Sequence, residues 1–494
     1  MKNTTENDIN EVMEKAWAAF HIYRKKSLKQ RALFMRSIAK EIEYLGDALI
    51  KITMQETNLP EARLIGERTR TIFQLNSYAD SCERGQWLEA RIDTAVASKT
   101  PPKPDIRKML IPLGPVAVFG ASNFPFAYST AGGDTACAFA AGCPVIVKGH
   151  PAHIKTSEMI ASAILKAADN NGMPPGIFTH ISVAGNEVGE YLVKHRHTKA
   201  VGFTGSFAGG KQLFDWGSQR KEPIPVFAEM GSVNPVFLLP GKLKTSAVEM
   251  AKQFAASITL GAGQFCTNPG IIVGTKSTEL DNFISLLAEE IKIVKPALML
   301  HEGIYKNYSD KREKALSQRG VEKVAVSETN GGMGEGISTI SSTTAKNFME
   351  NTLLHQEVFG PYSIIVVCDD KEEMHNVASK LEGQLTTTLM ATEDDFLQNQ
   401  NLVESLENIC GRFILNSVPT GVEVCTSMHH GGPFPATTDS RFTSVGADGI
   451  KRFARPLAFQ NWPDISLPDE LKNENPLQIY RTVNDELTTG KINI

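Results

Sequence analysis

Between residues 114 and 230 short β-branched runs alternate with helical stretches, and this alternation restricts the fold more than any other feature of the chain. Residues 116–119, 145–147 and 201–204 are the runs. Residues 155–169 and 187–196 are the helical stretches, the first carrying Ile160, Ala161, Ile164 and Leu165 at helical spacing. Parallel strands need a crossover, so strand–helix alternation predicts a parallel sheet with helices on its faces. Ligands on such sheets bind outside the carboxyl ends of the strands. Asn123, Lys148 and Gly205 each follow a run and fall at that edge. No Gly-x-Gly-x-x-Gly follows a run. Gly205-Ser206-Phe207-Ala208-Gly209-Gly210 is a looser turn whose glycines let an anionic group approach a helix N-terminus. Such a turn alone is common.

The flanks extend this plan. Residues 8 to about 85 read as helices, with Ala16, Ala18, Ala19 and Phe20, then Ala32, Leu33, Met35, Ile38, Ala39 and Ile42, at helical spacing. Residues 97–106 are rich in Pro and Lys and break the pattern. Residues 231 to 435 read as a second α/β unit, with the Gly-, Ser- and Thr-rich stretch 318–345 as a surface loop or insert. A chain of 494 residues exceeds what one core supports. A net charge of −4 gives no reason to expect nucleic acid or an anionic membrane as partner. No apolar run has the length of a membrane span, and the first 30 residues lack the apolar core of a signal peptide. The seven cysteines are scattered and contain no Cys-x-x-Cys, which argues against a disulfide framework and against a zinc site. A reducing cytoplasm is the expected compartment.

Two segments carry chemistry. Phe227-Ala228-Glu229-Met230-Gly231-Ser232-Val233-Asn234-Pro235 offers a carboxylate among apolar neighbours. Gly261-Ala262-Gly263-Gln264-Phe265-Cys266-Thr267 offers a thiol. A thiol nucleophile and a carboxylate base suffice for acyl chemistry through a thioester. Only folding can unite them. A lone cysteine is commonly a small buried hydrophobe, and a lone glutamate a solvated charge; Val226, Phe227, Ala228 and Met230 weaken the second reading. A carboxylate beside an apolar channel is expected to have a raised pKa. On these residues alone, a thioesterase without cofactor and a non-catalytic binding protein both stay open.

Further strings stand in order: Pro115-Val116-Ala117-Val118-Phe119-Gly120-Ala121-Ser122-Asn123-Phe124-Pro125, Gly142-Cys143-Pro144-Val145-Ile146-Val147-Lys148, Phe203-Thr204-Gly205-Ser206 and Glu357-Val358-Phe359-Gly360-Pro361. With the two reactive segments, they make the chain resemble the NAD(P)-dependent aldehyde dehydrogenase superfamily. The resemblance implies a Rossmann-type cofactor domain over 1–96 and 114–230, with a return near 436–478. It implies a catalytic domain over 231–435. Segments 97–113 and 479–494 would be oligomerisation segments, a hairpin and a tail pairing with a neighbouring subunit of a homodimer or homotetramer. Cys266 would attack an aldehyde, with the Asn123 amide and the Cys266 N–H as oxyanion donors. Glu229 would be the general base for thioester hydrolysis. Lys148, Gly205, Ser206, Glu357 and Phe359 would hold the cofactor. Phe124, Tyr128, Phe265 and Thr267 would line the substrate channel, with 422–430 at its mouth. Phe207 departs from the family's usual Thr, which bears on cofactor placement.

Met230-Gly231-Ser232-Val233, the string Phe-Cys-Thr-Asn-Pro-Gly around Cys266, and His430-Gly431-Gly432-Pro433-Phe434-Pro435-Ala436-Thr437-Thr438-Asp439-Ser440-Arg441 narrow the resemblance. Together they look like the dehydrogenases that convert 2,5-dioxopentanoate to 2-oxoglutarate. NADP-dependent fatty aldehyde dehydrogenases of luminous bacteria are similar in the same places, which makes a broad or long-chain aldehyde the alternative substrate. Pro151 stands where NAD-preferring relatives often carry a ribose-binding glutamate, so the expected cofactor is NADP or NAD, with NADP favoured. A dioxo acid needs a cation for its carboxylate; Arg63, Arg68, Arg70 and Arg441 are the candidates, with no means of choosing among them.

Overall fold

The computed structural model describes residues 5–182 and 185–492. Four helices open the chain, Glu6–Tyr23, Leu28–Tyr44, Gly46–Thr57 and Glu61–Arg84. Thr5 caps the first through a reciprocal capping box with Asp8. Their apolar stripes bury Ala16, Ala19 and Phe20, then Ala32, Met35, Ile38, Ala39 and Ile42, while Ala18 and Leu33 face solvent.

The expected parallel sheet is present with five strands, in the order Phe178–Ile181, Val145–Lys148, Val116–Phe119, Ala200–Thr204, Val226–Glu229. Helices Ile154–Asn170, Asn186–Lys194 and Phe207–Ser218 supply crossovers. The strands read as continuous apolar runs because both faces are covered; all four residues of Val116–Phe119 and of Val226–Glu229 are buried.

A second sheet has seven strands, in the order Val321–Val326, Thr339–Thr344, Tyr362–Cys368, Ile271–Thr275, Val236–Leu238, Gln384–Met390, Cys410–Leu415. All neighbours are parallel except the first pair. This corrects the expectation of a loop over 318–345. Two strands of the sheet lie there, and Thr339–Thr344 is largely buried. Its β-branched threonines suit a strand, and its hydroxyls are satisfied internally: Ser341 meets the Tyr362 hydroxyl at 2.7 Å, and Thr343 donates to the Gly320 carbonyl.

A third sheet runs Ala454–Gln460, Ile106–Pro112, Arg91–Asp93, Arg481–Val483, Glu486–Thr488. The Pro- and Lys-rich stretch is the turn region between its hairpin strands, Arg91–Asp93 and Ile106–Pro112, with a bridge at Val96 and Lys103. The tail contributes the last two strands. Its strands pair with each other and with Arg91–Asp93 of the same chain. Residues 493 and 494 of that tail lie outside the described residues. Among the described residues no helix is long and apolar enough to cross a membrane.

Candidate active site

Glu229 is the last residue of the edge strand Val226–Glu229 of the first sheet. Segment 436–438 closes the strand's other side: Met230 N–H donates to the Ala436 carbonyl, and Thr438 N–H to that of Ala228. Just beyond, Gly231 passes so close to Glu357 that a Cβ there would lie 2.5 Å from its Oε2. The chain then crosses to the second sheet through Asn234, a buried residue in left-handed conformation. Its amide donates to the carbonyls of Cys266, at 2.8 Å, and Asn268, at 2.9 Å. Gln384 Oε1 accepts from the N–H groups of Val233 and Asn234. The carboxylate and the thiol, remote in sequence, are thereby held together by side chains that span the two sheets.

Cys266 is half-buried in the turn after a helix Pro240–Thr259 and a short 3-10 segment Leu260–Gly263. Gly263 has φ +66°, and a Cβ on it would lie 2.3 Å from the Gly360 carbonyl, so only glycine fits. That close approach joins the nucleophile turn to the Glu357–Pro361 string. Asn123 lies beside it, its amide donating to the Gln264 carbonyl at 3.0 Å.

Asn123 is positioned by a residue the sequence did not single out. Glu67, fully buried on helix Glu61–Arg84, accepts the N–H groups of Phe126 and Ala127, both at 2.9 Å, and pairs with Arg63 at 2.7 Å. It pins the Asn123-Phe124-Pro125 turn to that helix.

His430 completes the centre. It is buried, with Nε2 2.9 Å from Oε1 of Glu229 and 3.6 Å from Sγ of Cys266. Ser444 donates to Oε2 of Glu229 at 2.7 Å and also to the His430 carbonyl. Oε1 faces the His430 imidazole and is the oxygen that Ser444 does not bind. The expected raised pKa of Glu229 is corrected here. Burial does push it up, but the adjacent imidazole and the Ser444 hydroxyl outweigh burial and hold it below the usual carboxylate value. Cys266 goes the other way: burial, then the charges of Glu229 and Glu357, push the thiol well above its ordinary value. His430 stood in a string quoted above, but no spacing tied it to Glu229.

A cleft of about 570 Å³ opens from this centre. Asn123, Gly205, Ser206, Glu229, Cys266, Glu357 and Phe359 line it. Ser206 caps helix Phe207–Ser218, its hydroxyl accepting from Gly209 N–H, and Gly205 N–H donates to the Glu229 carbonyl. A Cβ on Gly205 would lie 2.7 Å from the Phe203 ring. Lys148 ends its strand with its pKa lowered by burial, but His150 and Pro151 form the cleft wall there. Phe207 is exposed and packs edge-on against Phe434. Glu357 is half-buried, and desolvation raises it to about 7; Lys311 donates to its backbone carbonyl. A glycine-permitted cradle at a helix N-terminus, opening onto half-buried carboxyl and aromatic groups, fits a dinucleotide.

On the other side of Cys266 lies an aromatic wall. Phe124 meets Phe265 and Tyr128 edge-on at 5.4 and 5.2 Å, and the Tyr128 ring is 6.1 Å from that of His430. Val424 and Val445 pack against Tyr128. Thr267 is buried and accepts from Gly421 N–H, so it supports the channel loop from behind.

Two α/β units that close a cysteine thiol, a glutamate and an amide against a dinucleotide-sized cleft have the architecture of a cofactor-dependent oxidoreductase. The chain belongs to the aldehyde dehydrogenase family, whose model matches residues 1–434. It is an oxidoreductase acting on aldehydes, in a family that uses NAD or NADP. It is 44% identical to the alpha-ketoglutaric semialdehyde dehydrogenase of Acinetobacter baylyi, covering 98% of this chain and 92% of the relative. It is 46% identical to alpha-ketoglutaric semialdehyde dehydrogenase 2 of Azospirillum brasilense, covering 96% and 90%. The crystal structure of succinic semialdehyde dehydrogenase from Streptococcus pyogenes with NADP+ superposes with a TM-score of 0.77 at 19% identity, covering 93% of this chain and 96% of that one.

Proposed function

We propose that the protein oxidises 2,5-dioxopentanoate to 2-oxoglutarate through a thioester on Cys266. The observation that carries the reaction type is the cluster of Cys266, Glu229 and His430, whose reactive atoms all lie within 4.8 Å of one another. The near-full-length relatives support the substrate.

Sγ of Cys266 attacks the aldehyde carbon and gives its proton to the His430 imidazole, 3.6 Å away, which releases it to water before hydrolysis. The Asn123 amide and the Cys266 N–H stabilise the oxyanion. A dinucleotide bound in the cleft would supply the acceptor for the hydride of the former aldehyde carbon. Gly205, Ser206, Glu357 and Phe359 would hold it in the cleft, with Lys148 behind the wall that His150 and Pro151 form. Oε1 of Glu229 then takes a proton from water, which hydrolyses the thioester. Phe124, Tyr128, Phe265 and the loop braced by Thr267 shape the aldehyde channel.

NADP is the favoured cofactor. The cleft lining has Pro151 after the second strand, and its carboxylates, Glu229 and Glu357, belong to the reacting end, so among the described residues no lining carboxylate repels a 2′-phosphate. A homodimer or homotetramer is supported by exposed Leu487, Tyr480, Trp462 and Ile465 on and around the third sheet. Seven unpaired cysteines suit the reducing cytoplasm.

Nicotinamide reduction with 2,5-dioxopentanoate, hexanal and a long-chain aldehyde, each with NAD and NADP and with Cys266→Ala as blank, tests the reading. Preference for the dioxo acid, lost in the blank, supports it. Preference for the apolar aldehydes transfers the assignment to a broad or long-chain enzyme.

A further inference from the structure

We propose that Arg70 and Arg412 form an anion subsite in the substrate channel that takes the carboxylate of an acidic aldehyde; the proposal rests on the acidic-substrate reading above. Arg70 lies on helix Glu61–Arg84, on the face that carries Arg63 and Glu67. Its Nη1 donates to the Val422 carbonyl at 2.6 Å and its Nη2 to the Tyr128 hydroxyl at 3.3 Å. The guanidinium sits 5.6 Å from the centre of the Tyr128 ring. Arg412 comes from the strand Cys410–Leu415 of the second sheet. Its Nη1 donates to the Gly421 carbonyl at 2.9 Å and its Nη2 to that of Pro419 at 2.8 Å. Two cations, one from each unit of the fold, thus donate to carbonyls of one short segment, 419–422.

Their charges are uncompensated. Among the described residues neither arginine contacts a carboxylate. Each has a buried Nε without an acceptor. A half-buried cation without a counter-charge is costly, and the Nε edge of a guanidinium is half of the fork that grips a carboxylate side-on. Of the other candidate arginines, two have a carboxylate partner and the third contacts a different part of the chain. Arg63 is paired with Glu67 at 2.7 Å, Arg68 donates to the Gly46 carbonyl, and Arg441 is exposed and paired with Asp439. The subsite adjoins the reacting centre: Tyr128, which Arg70 touches, packs its ring 6.1 Å from that of His430. Arg412 also senses the Cys266 thiol electrostatically. The wall between is apolar, built from Tyr128, Phe124 and Val424, so the arginines are what discriminates a charged aldehyde from a neutral one.

The test compares kcat/KM for 2,5-dioxopentanoate and hexanal at saturating NADP in the full-length protein, for wild type, Arg70→Gln, Arg70→Lys, Arg412→Gln and Arg412→Lys. The acid-to-hexanal ratio should fall at least about tenfold in each Gln variant through KM for the acid, and the Lys variants should recover part of it. Arginines that only brace the loop would lower both substrates together and leave the ratio unchanged, which overturns the proposal. Glutarate inhibition of hexanal oxidation separates this claim from the substrate assignment. Competitive inhibition in the wild type that is lost in Arg70→Gln upholds the subsite even if the dioxo acid proves a poor substrate. No inhibition of the wild type overturns it.

Discussion

His430 and Glu229 form a buried pair, with Nε2 2.9 Å from Oε1, and the pair reaches the nucleophile through the 3.6 Å approach of Nε2 to Sγ of Cys266. The carboxylate's second oxygen is bound to Ser444. The imidazole therefore sets both the charge of Glu229 and the freedom of its catalytic oxygen.

Replacing His430 by Gln should lower kcat by about 100-fold, the lower end of what one acid–base group contributes. The pH profile should change as well. In the wild type Glu229 is held low and is ionised throughout the neutral range. Without the imidazole, burial dominates, the carboxyl pKa rises, and activity should fall as pH drops through the neutral range. A kcat profile of unchanged shape would contradict this.

Cys266 should be a slow thiol in the cofactor-free protein. Burial and the charges of Glu229 and Glu357 keep it protonated at neutral pH. Exposed Cys425 provides an internal reference. Site-resolved mass spectrometry after iodoacetamide should show Cys425 modified first at pH 7, with the Cys266 rate rising with pH and not levelling off in the range where an ordinary thiol does. Faster alkylation of Cys266 at pH 7 would contradict the burial argument.

Glu357 makes the cofactor-free protein less stable at high pH. Its folded pKa of about 7 lies above the ordinary 4.5. The folded state therefore binds the proton more tightly, and stability falls as pH rises from 4.5 through 7. The full shift corresponds to about 3 kcal/mol. Glu357→Gln removes the titration, so its thermal midpoint should gain on the wild type between pH 5 and 8. A pH-independent difference would refute the desolvated-acid account.

Glu67→Ala should destabilise the fold and disable the site together. It leaves the Phe126 and Ala127 N–H groups without their acceptor and Arg63 without its partner, a loss of about 3–5 kcal/mol for a broken buried pair. Thermal unfolding should show a lowered midpoint, and kcat should fall because the Asn123 turn is released. Glu67→Gln keeps an acceptor and should retain most of both.

The first sheet was legible because its strands are short apolar runs covered on both faces, such as Val116–Phe119 and Val226–Glu229. The reactive residues were legible because Glu229 and Cys266 stand in strings that resemble a family. The strands within 318–345 were not, because a Thr- and Ser-rich strand has the composition of a loop; only its neighbours in the sheet, and partners such as Tyr362, make it buried. Glu67, Asn234, Gln384 and Ser444 act through contacts with remote segments, and no local spacing reveals such contacts. Glu67 left one faint trace, an acid on the buried stripe between Leu64 and Thr71. The direction of the Glu229 pKa escapes the sequence for the same reason: its apolar neighbours adjoin it, whereas no spacing ties His430 to it.

The central claim, a Cys266 thioester hydrolysed through Glu229, is tested most directly in Glu229→Gln mixed with 2,5-dioxopentanoate and NADP. The account predicts a burst of about one NADPH per site followed by a stall, with the acyl group found on Cys266 by mass spectrometry. Sustained turnover at the wild-type rate, or an acyl group on any other residue, would contradict it.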